Sequence, residues 1–171
     1  MQKVAVFGSA FNPPSLGHKH VLESLSHFDR VLLIPSISHA WGKTMLDYTL
    51  RCRLVDAFIK DLATSHIELL AIEQALWQPD QSVTTYALLT HLQSQWPDAE
   101  LTFVIGPDNF FRFHEFYRAE EIVQHWSVMV CPEKVNIRST DIRQAIAARE
   151  NIQDLTTPSV AALLEQLQVY R

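Results

Sequence analysis

The chain has 171 residues, of which 47% are hydrophobic and 19% are charged, a composition typical of a globular domain with a full hydrophobic core. Its formal net charge of −5 argues against a general affinity for nucleic acid, because no broad cationic face is available to neutralise phosphates. No stretch approaches a membrane span and no leader-like apolar segment follows the N-terminus, so we expect one domain over residues 1–171, located in the cytoplasm.

Short apolar runs alternate with segments of helical period along the chain. The runs predict parallel strands covered on both faces, at residues 4–7, 31–34, 67–70, 101–105 and 128–131. Apolar stripes between and after them predict helices over residues 17–28, 50–62, 82–92, 116–126, 140–148 and 159–169. This alternation predicts an α/β fold, a Rossmann-like doubly wound parallel sheet of about five strands with helices on both faces.

The first predicted strand ends in an unusual turn, Gly-Ser-Ala-Phe-Asn-Pro-Pro-Ser-Leu-Gly-His, over residues 8–18. Gly8, Ser9 and Ala10 are small, so the backbone can approach a ligand closely where the strand ends. His18 opens the next helix, where its ring N–H and the free backbone amides can bind phosphate oxygens. The alternative is a tight strand-to-helix turn that carries an incidental surface histidine.

A second polar cluster, Asn-Ile-Arg-Ser-Thr-Asp-Ile-Arg, covers residues 136–143. Arg143 falls in the first turn of a predicted helix, where the helix dipole favours anions over cations. A bound phosphate would explain this placement, and an exposed ion pair with Asp141 is the alternative. Because the carboxyl ends of parallel strands meet at one edge of a sheet, we expect both clusters to line the same cleft.

Three other features are weaker signals. The connection over residues 36–48 has no clear periodicity, and a loop of this length is typically functional, so its His39 is a candidate for substrate contact. The histidines have no metal-ligand spacing, and no protein metal site is predicted. We expect an aromatic run to pack mainly into the core: Phe110, Phe111, Phe113, Phe116 and Tyr117.

The two clusters together resemble the signature pair of the nucleotidylyltransferase superfamily. That pair is Gly-x-x-Phe-Asp/Asn-Pro with His/Thr-x-Gly-His, followed late in the chain by Ile-Ser-Ser-Thr-x-Ile-Arg. The resemblance spans nearly the whole chain, which looks most like the bacterial nicotinate-nucleotide adenylyltransferases. It implies an enzyme of NAD biosynthesis that transfers the adenylyl group of ATP to a mononucleotide, with nicotinate mononucleotide as the expected acceptor and pyrophosphate as the product.

The resemblance also implies roles for individual residues. Catalysis is expected from His18, Lys43 and Arg143. ATP binding is expected from Gly8, Ser9, Ala10, Phe11, Ser15, Gly17, Gly106, Asp108, Arg138, Ser139 and Thr140. Acceptor binding is expected from Asn12, His39, Arg51, Ser82, Thr84 and Phe116. Mg²⁺ is expected as a cofactor bound mainly through the ATP phosphates, without dedicated protein ligands.

Four positions depart from the family pattern. Ser15 replaces the first motif histidine, Arg138 replaces a serine, Phe116 replaces a tryptophan and Val83 replaces a tyrosine. These changes affect the choice of acceptor more than the enzyme class. A related adenylyl- or cytidylyltransferase with another phosphate acceptor and a catalytically weakened nucleotide-binding protein remain alternatives, and the state of oligomerisation stays open.

Overall fold

The computed structural model describes residues 1–38 and 44–171, and a five-stranded parallel sheet forms its centre. The strands are β1 Lys3–Ser9, β2 Arg30–Pro35, β3 Ile67–Leu69, β4 Glu100–Ile105 and β5 Ser127–Val130. Their order in the sheet is β3-β2-β1-β4-β5, and each neighbouring pair is parallel. The predicted Rossmann-like fold is confirmed, with strand bounds that differ by at most two residues from those expected.

Helices cover both faces of this sheet. They are α1 Leu16–Glu23, α2 Tyr48–Asp61, α3 Glu73–Leu76, α4 Thr85–Gln95, α5 Pro107–Phe111, α6 Ala119–His125, α7 Ser139–Ala147 and α8 Pro158–Leu167. Successive side chains of a strand point to opposite faces, so the strands feed two cores. Ala5 and Phe7 pack with α1, α2, α7 and α8, whereas Val4 and Val6 pack with α4 and α6. Of the helices in the described ranges, none has the length and apolarity needed to cross a membrane.

Helix α1 ends at Glu23 and not at residue 28 as the apolar stripe predicts. Two other helices begin later than the sequence predicts. Helix α4 begins at Thr85 rather than at residue 82, because the Thr84 hydroxyl oxygen accepts from the Ala87 N–H at 3.1 Å and caps the helix there. Helix α6 begins at Ala119 rather than at residue 116, after Arg118 in the left-handed region at φ 55°. The sequence does not predict the one-turn helices α3 and α5, because a segment of four or five residues is too short to show a helical period.

The aromatic run was expected in the core, and this prediction is wrong for three of its five members. Phe110, Phe111 and Tyr117 are 50%, 73% and 56% exposed. Phe110 and Phe111 belong to α5, a single turn on the surface with no buried residue, and Tyr117 lies in the connection before α6. Phe113 and Phe116 pack against the core on the α4 side of the sheet.

Candidate active site

A cleft of about 760 Å³ opens near the carboxyl ends of β1 and β4, where the strand order reverses. This volume lies within the range of small-ligand pockets, and switch points of this kind are where open α/β sheets bind ligands. The sequence-predicted residues that line it are Gly8, Ser9, Ala10, Phe11, Asn12, Ser15, Gly17, His18, Ser82, Thr84, Gly106, Asp108, Phe116, Arg138, Ser139, Thr140 and Arg143. Arg51 does not line the cleft, and His39 and Lys43 lie outside the described residues.

The hydrogen bonds of His18 identify its tautomer. The backbone N–H of Ser15 donates to His18 Nδ1 at 3.0 Å, so Nδ1 must be unprotonated. The ring proton is therefore on Nε2, which lies 3.0 Å from the Ser9 hydroxyl oxygen. The rings of Phe11 and Phe7 lie against His18, with centroid separations of 4.8 and 6.0 Å. Burial among them lowers the pKa of His18 to about 4, so the ring is neutral at physiological pH.

We expect His18 to remain neutral down to about pH 4, far below the ordinary value of about 6.5 for this side chain. Folding lowers the pKa of His18, so the unfolded chain binds a proton at this side chain more readily than the folded one. The neutral ring therefore contributes fully to the free energy of unfolding above pH 6.5, and this contribution is lost as the pH falls toward 4. Nitrogen-15 NMR of the imidazole should show the Nε2–H form and a titration midpoint near pH 4. A midpoint at 6 or above would contradict this placement.

Ser15 is 1% exposed, and its groups are occupied within the protein. Its hydroxyl oxygen accepts from the His18 N–H at 3.3 Å as the N-cap of α1, and the hydroxyl donates to the Ile137 carbonyl at 3.3 Å. The expected direct bond from Ser15 to ATP is therefore not what this geometry supports. Ser15 instead orients His18 and joins the first turn to the segment before α7.

Gly17 is required by the close approach of α1 to the chain before α7. A Cβ atom at this position would lie 2.2 Å from the Ile137 carbonyl oxygen, so one of the two backbones would have to move. The absence of a side chain at Gly17 thus lets the two motifs contact each other. Ser15 and Ile137, which form a hydrogen bond at this contact, are 122 residues apart in the sequence.

We expect Gly17→Ala to lower the free energy of unfolding by about 1–3 kcal/mol, the usual cost of forcing atoms into a packed site. Gly106→Ala is the matched control for stability, because a Cβ there would meet nothing within 4 Å. Urea unfolding of the two variants measures the difference. Equal midpoints for both variants would show that the contact with Ile137 does not constrain the chain.

The start of α7 forms the second half of the cleft. Ser139 Oγ donates to the Pro13 carbonyl at 2.6 Å and Arg143 Nη1 donates to the Asn12 carbonyl at 2.8 Å, so both tie α7 to the first turn. Arg143 Nη2 donates to Thr140 Oγ1 at 3.0 Å. The first N–H groups of a helix have no acceptor within the helix, and in α7 these groups lie near Arg143, which contacts Thr140. This arrangement suits a bound phosphate.

Arg138 also borders the cleft, but two carboxylates already bind its guanidinium. Its Nε and Nη2 donate to Glu133 at 2.7 and 2.6 Å in a bidentate pair, and Nη1 donates to Asp108 at 2.9 Å. These contacts raise the pKa of Arg138, chiefly through the hydrogen bonds to Glu133. The positive charge of Arg138, which stands where the family pattern has a serine, is thus neutralised in this conformation.

Arg51 lies behind the cleft rather than in it. It is 1% exposed and donates to four backbone carbonyls, those of Leu46, Ala10, Ser36 and Ile37, at 2.6–3.4 Å. These carbonyls belong to the loops that follow β1 and β2. The structure therefore supports a role for Arg51 in shaping the loops and not the expected contact with the acceptor.

Three residues near the cleft were not identified from the sequence. Tyr170 donates from its hydroxyl to Asn12 Oδ1 at 2.5 Å, across 158 residues, and Lys134 lines the cleft beside Glu133. Glu73 also lines it and accepts from the Ile37 N–H at 3.2 Å, while burial raises the pKa of its carboxyl to about 7. A tyrosine, a lysine and a glutamate outside the two motifs carry no signal that would separate them from surface residues.

Neither a metal-binding cluster nor a second groove competes with this cleft in the part of the chain that the structure describes. Within residues 1–38 and 44–171, no group of three or more His, Cys, Asp or Glu side chains could hold a metal ion. An open groove of about 1290 Å³ lies between the end of α7 and α8, with Ile146, Leu164 and Arg171 in its lining. It contains none of the motif residues, so the cleft at the sheet edge is the candidate active site.

Comparisons with known proteins bear on the family and the fold of this chain. A family model described as cytidylyltransferase-like matches residues 6–145, which include both halves of the cleft. A crystal structure from Vibrio parahaemolyticus, provisionally assigned as a nicotinate-nucleotide adenylyltransferase, is 58% identical with a TM-score of 0.90, over 100% of this chain and 96% of that chain.

More distant relatives carry related assignments. A protein of Flavobacterium psychrophilum, provisionally assigned as a nicotinate-nucleotide adenylyltransferase, is 28% identical over 197 residues, covering 99% of each chain. The Plasmodium falciparum nicotinic acid mononucleotide adenylyltransferase in complex with NaAD has a TM-score of 0.80 at 15% identity, covering 99% of this chain and 98% of that chain. The last comparison bears on the fold alone.

Proposed function

The chain belongs to the cytidylyltransferase-like family, and we propose that it transfers the adenylyl group of ATP to nicotinate mononucleotide and releases pyrophosphate. One observation carries this proposal. Two segments that are far apart in sequence, the first turn with His18 and the start of α7 with Arg143, meet in a single cleft at the switch point of the sheet. Nucleotidyl transfer requires such a site, because two anions must be held in line.

In the proposed reaction, a phosphate oxygen of the acceptor attacks the α-phosphorus of ATP. The new P–O bond forms as the bond from the α-phosphorus to the bridging oxygen breaks, and that oxygen leaves with pyrophosphate. The attacking oxygen is already anionic, so no general base is needed. Catalysis then depends on positioned donors and charges around the transferring phosphate.

The described residues supply these groups unequally. Arg143 is the cation that joins the two halves of the cleft, and the amides at the start of α7 add partial positive charge. His18 belongs to the donor set as a neutral ring. Lys43 remains in the proposal by resemblance, and Lys134 is a further cation at the cleft.

Mg²⁺ fits this site as an ion carried by the nucleotide. The cleft carboxylates Asp108 and Glu133 are both engaged by Arg138, and no cluster in the described ranges forms a metal cage. Mg²⁺ would be held mainly by ATP phosphate oxygens and would neutralise their charge. The protein residues orient the two substrates around it.

For the acceptor, we propose contacts from Ser82, Thr84 and Phe116, which line the same cleft. Phe116 packs edge-on against Phe103 at 6.3 Å, so its ring is held in place, and it can stack on an aromatic base.

The test is a pyrophosphate-release assay with ATP and nicotinate mononucleotide. We expect release that depends on Mg²⁺ and on the acceptor. CTP in place of ATP, and nicotinamide mononucleotide or phosphopantetheine as acceptor, define the specificity. Binding of ATP without pyrophosphate release from any acceptor would refute the enzyme and favour a nucleotide-binding protein.

A further inference from the structure

The side-chain oxygen of Asn12 is the meeting point of two hydrogen bonds. The Leu46 N–H donates to Asn12 Oδ1 at 3.2 Å, and the Tyr170 hydroxyl lies 2.5 Å from the same oxygen. A backbone N–H can only donate, so the atom that faces Leu46 must be the oxygen of the amide and not its nitrogen. The Tyr170 hydroxyl must then donate to that oxygen as well. Asn12 is 4% exposed, so water does not readily replace a donor that is lost there.

The backbone of Asn12 holds the cation of the cleft. The Asn12 carbonyl accepts from Arg143 Nη1 at 2.8 Å. Asn12 thus connects α7 with two other parts of the chain. One is the connection before α2, which contains Leu46, and the other is the segment after α8, which contains Tyr170. Because Asn12 lines the cleft, its position decides where Arg143 stands relative to a bound phosphate.

Two residues with left-handed backbone bring Tyr170 to this place. Gln168 follows α8 at φ 53°, and Tyr170 itself has φ 64°. This conformation is unfavourable for residues other than glycine, so it persists only where other contacts compensate for it. Tyr170 packs against the core between the sheet and α1, α2, α7 and α8, and its hydroxyl reaches Asn12. An apolar side chain would supply the packing but not the bond to Asn12.

The Tyr170 hydroxyl is kept protonated, as a donor must be. Burial raises the pKa of Tyr170, against the opposing influence of the guanidinium groups of Arg143 and Arg51. Both cations donate to backbone carbonyls of the first turn, those of Asn12 and Ala10. The neutral hydroxyl donates to Asn12, whereas a phenolate beside these cations would pair with them and lose that bond.

We propose that Tyr170 is a positioning residue for the reaction: by donating to Asn12, it fixes the carbonyl that holds Arg143 beside the transferring phosphate. The proposal rests on the proposed adenylyl transfer and extends it to a residue that does not line the cleft. A cation that is held in place before the reaction needs little rearrangement as charge develops on the phosphate, which is the condition for electrostatic catalysis.

The experiment measures pyrophosphate release by Tyr170→Phe, which removes only the hydroxyl, well below its unfolding midpoint. We expect kcat to fall about three- to tenfold, the effect of one hydrogen bond, with a smaller change in the KM for ATP. A residue that only stabilised the fold would lower the unfolding midpoint and leave the kcat of the folded protein unchanged. Tyr86→Phe is the matched control and should behave as wild type, because the Tyr86 hydroxyl contacts Arg118 beside the other core of the sheet.

Variants of Asn12 show whether Tyr170 acts through this residue. Asn12→Asp keeps an oxygen acceptor for the Tyr170 hydroxyl and should retain more activity than Asn12→Ala. In the Asn12→Ala background, Tyr170→Phe should cause no further loss of kcat. Losses that multiply in the double variant would overturn the proposal, and so would a kcat for Tyr170→Phe equal to that of the wild type.

A measurement without substrates separates this proposal from the proposed function. Wild-type protein that releases no pyrophosphate with any acceptor would refute adenylyl transfer, but not the contact between Tyr170 and Asn12. Hydrogen exchange of the Leu46 N–H reports on its bond to Asn12 Oδ1. We expect Tyr170→Phe to speed this exchange about threefold or more, while the Lys19 N–H, which donates within α1, keeps the wild-type rate. An unchanged rate at Leu46 in the folded variant would overturn the assignment of Tyr170.

Discussion

Replacing His18 by alanine is expected to lower turnover by about 10²–10³-fold, because the variant removes one preorganised donor from the cleft. The loss should appear mainly in kcat, since a donor that acts on charge developing at the reacting phosphate stabilises the transition state more than the bound substrates. The fold should persist, because the hydrogen bonds from the Ser139 and Arg143 side chains to carbonyls of the first turn do not involve the imidazole. Steady-state rates of pyrophosphate release measure the effect.

Two further substitutions test whether His18 acts as a neutral donor. His18→Gln retains an N–H donor without charge and should recover part of the rate, whereas His18→Lys supplies charge and should recover little. His27→Ala, at an exposed position after α1, is the control with the same substitution. Recovery by lysine and not by glutamine would show that the site needs a cation, contrary to the neutral ring inferred here.

The second large effect is expected on stability, from Arg51→Met. The variant keeps the aliphatic volume and removes every donor, so four loop carbonyls lose their partner in a place that water does not reach. Each unsatisfied buried acceptor costs about 1–3 kcal/mol, offset in part by no longer burying a charge. We expect a net loss of about 2–5 kcal/mol, equivalent to roughly 10 °C in the melting temperature of a chain of this size.

The matched control for Arg51→Met is Arg53→Met, the same substitution two residues along α2 at an exposed position. Arg53→Met should unfold at nearly the wild-type denaturant concentration, since surface substitutions rarely exceed 0.5 kcal/mol. Chemical denaturation of both variants under identical conditions gives the comparison. Equal midpoints would show that the four carbonyls find other partners and that Arg51 does not stabilise the loops.

The sequence was informative where the physical signal is local. A parallel strand buried on both faces must be apolar throughout, so runs such as residues 31–34 are readable without the structure. The resemblance of the two polar clusters to a known family is likewise carried by contiguous residues, and it is confirmed by the match over residues 6–145. The sheet topology then brings both clusters to one edge.

The sequence was uninformative where the decisive partner is distant. Arg138 donates to Asp108, which lies 30 residues earlier in the chain, so the residues around Arg138 do not reveal this partner. Arg51 has the same helical spacing as an exposed arginine, and only the positions of the carbonyls show that it is buried. Ser15 was interpreted as a phosphate ligand because its capping of His18 and its bond to Ile137 depend on backbone geometry.

The bonds between the first turn and the later part of the chain set the order in which the cleft can form during synthesis. Asn12 must await Arg143, which follows it by 131 residues, and Pro14 must await Thr156, which hydrogen-bonds it across 142 residues. At a translation rate of about 5–20 residues per second, 131 residues take roughly 7–26 s. Throughout that interval the first turn lacks these partners, and β1 and β2 are both available to pair once residue 35 has been added. A ligand that contacts both halves of the cleft can therefore stabilise the chain only after Arg143 has been added.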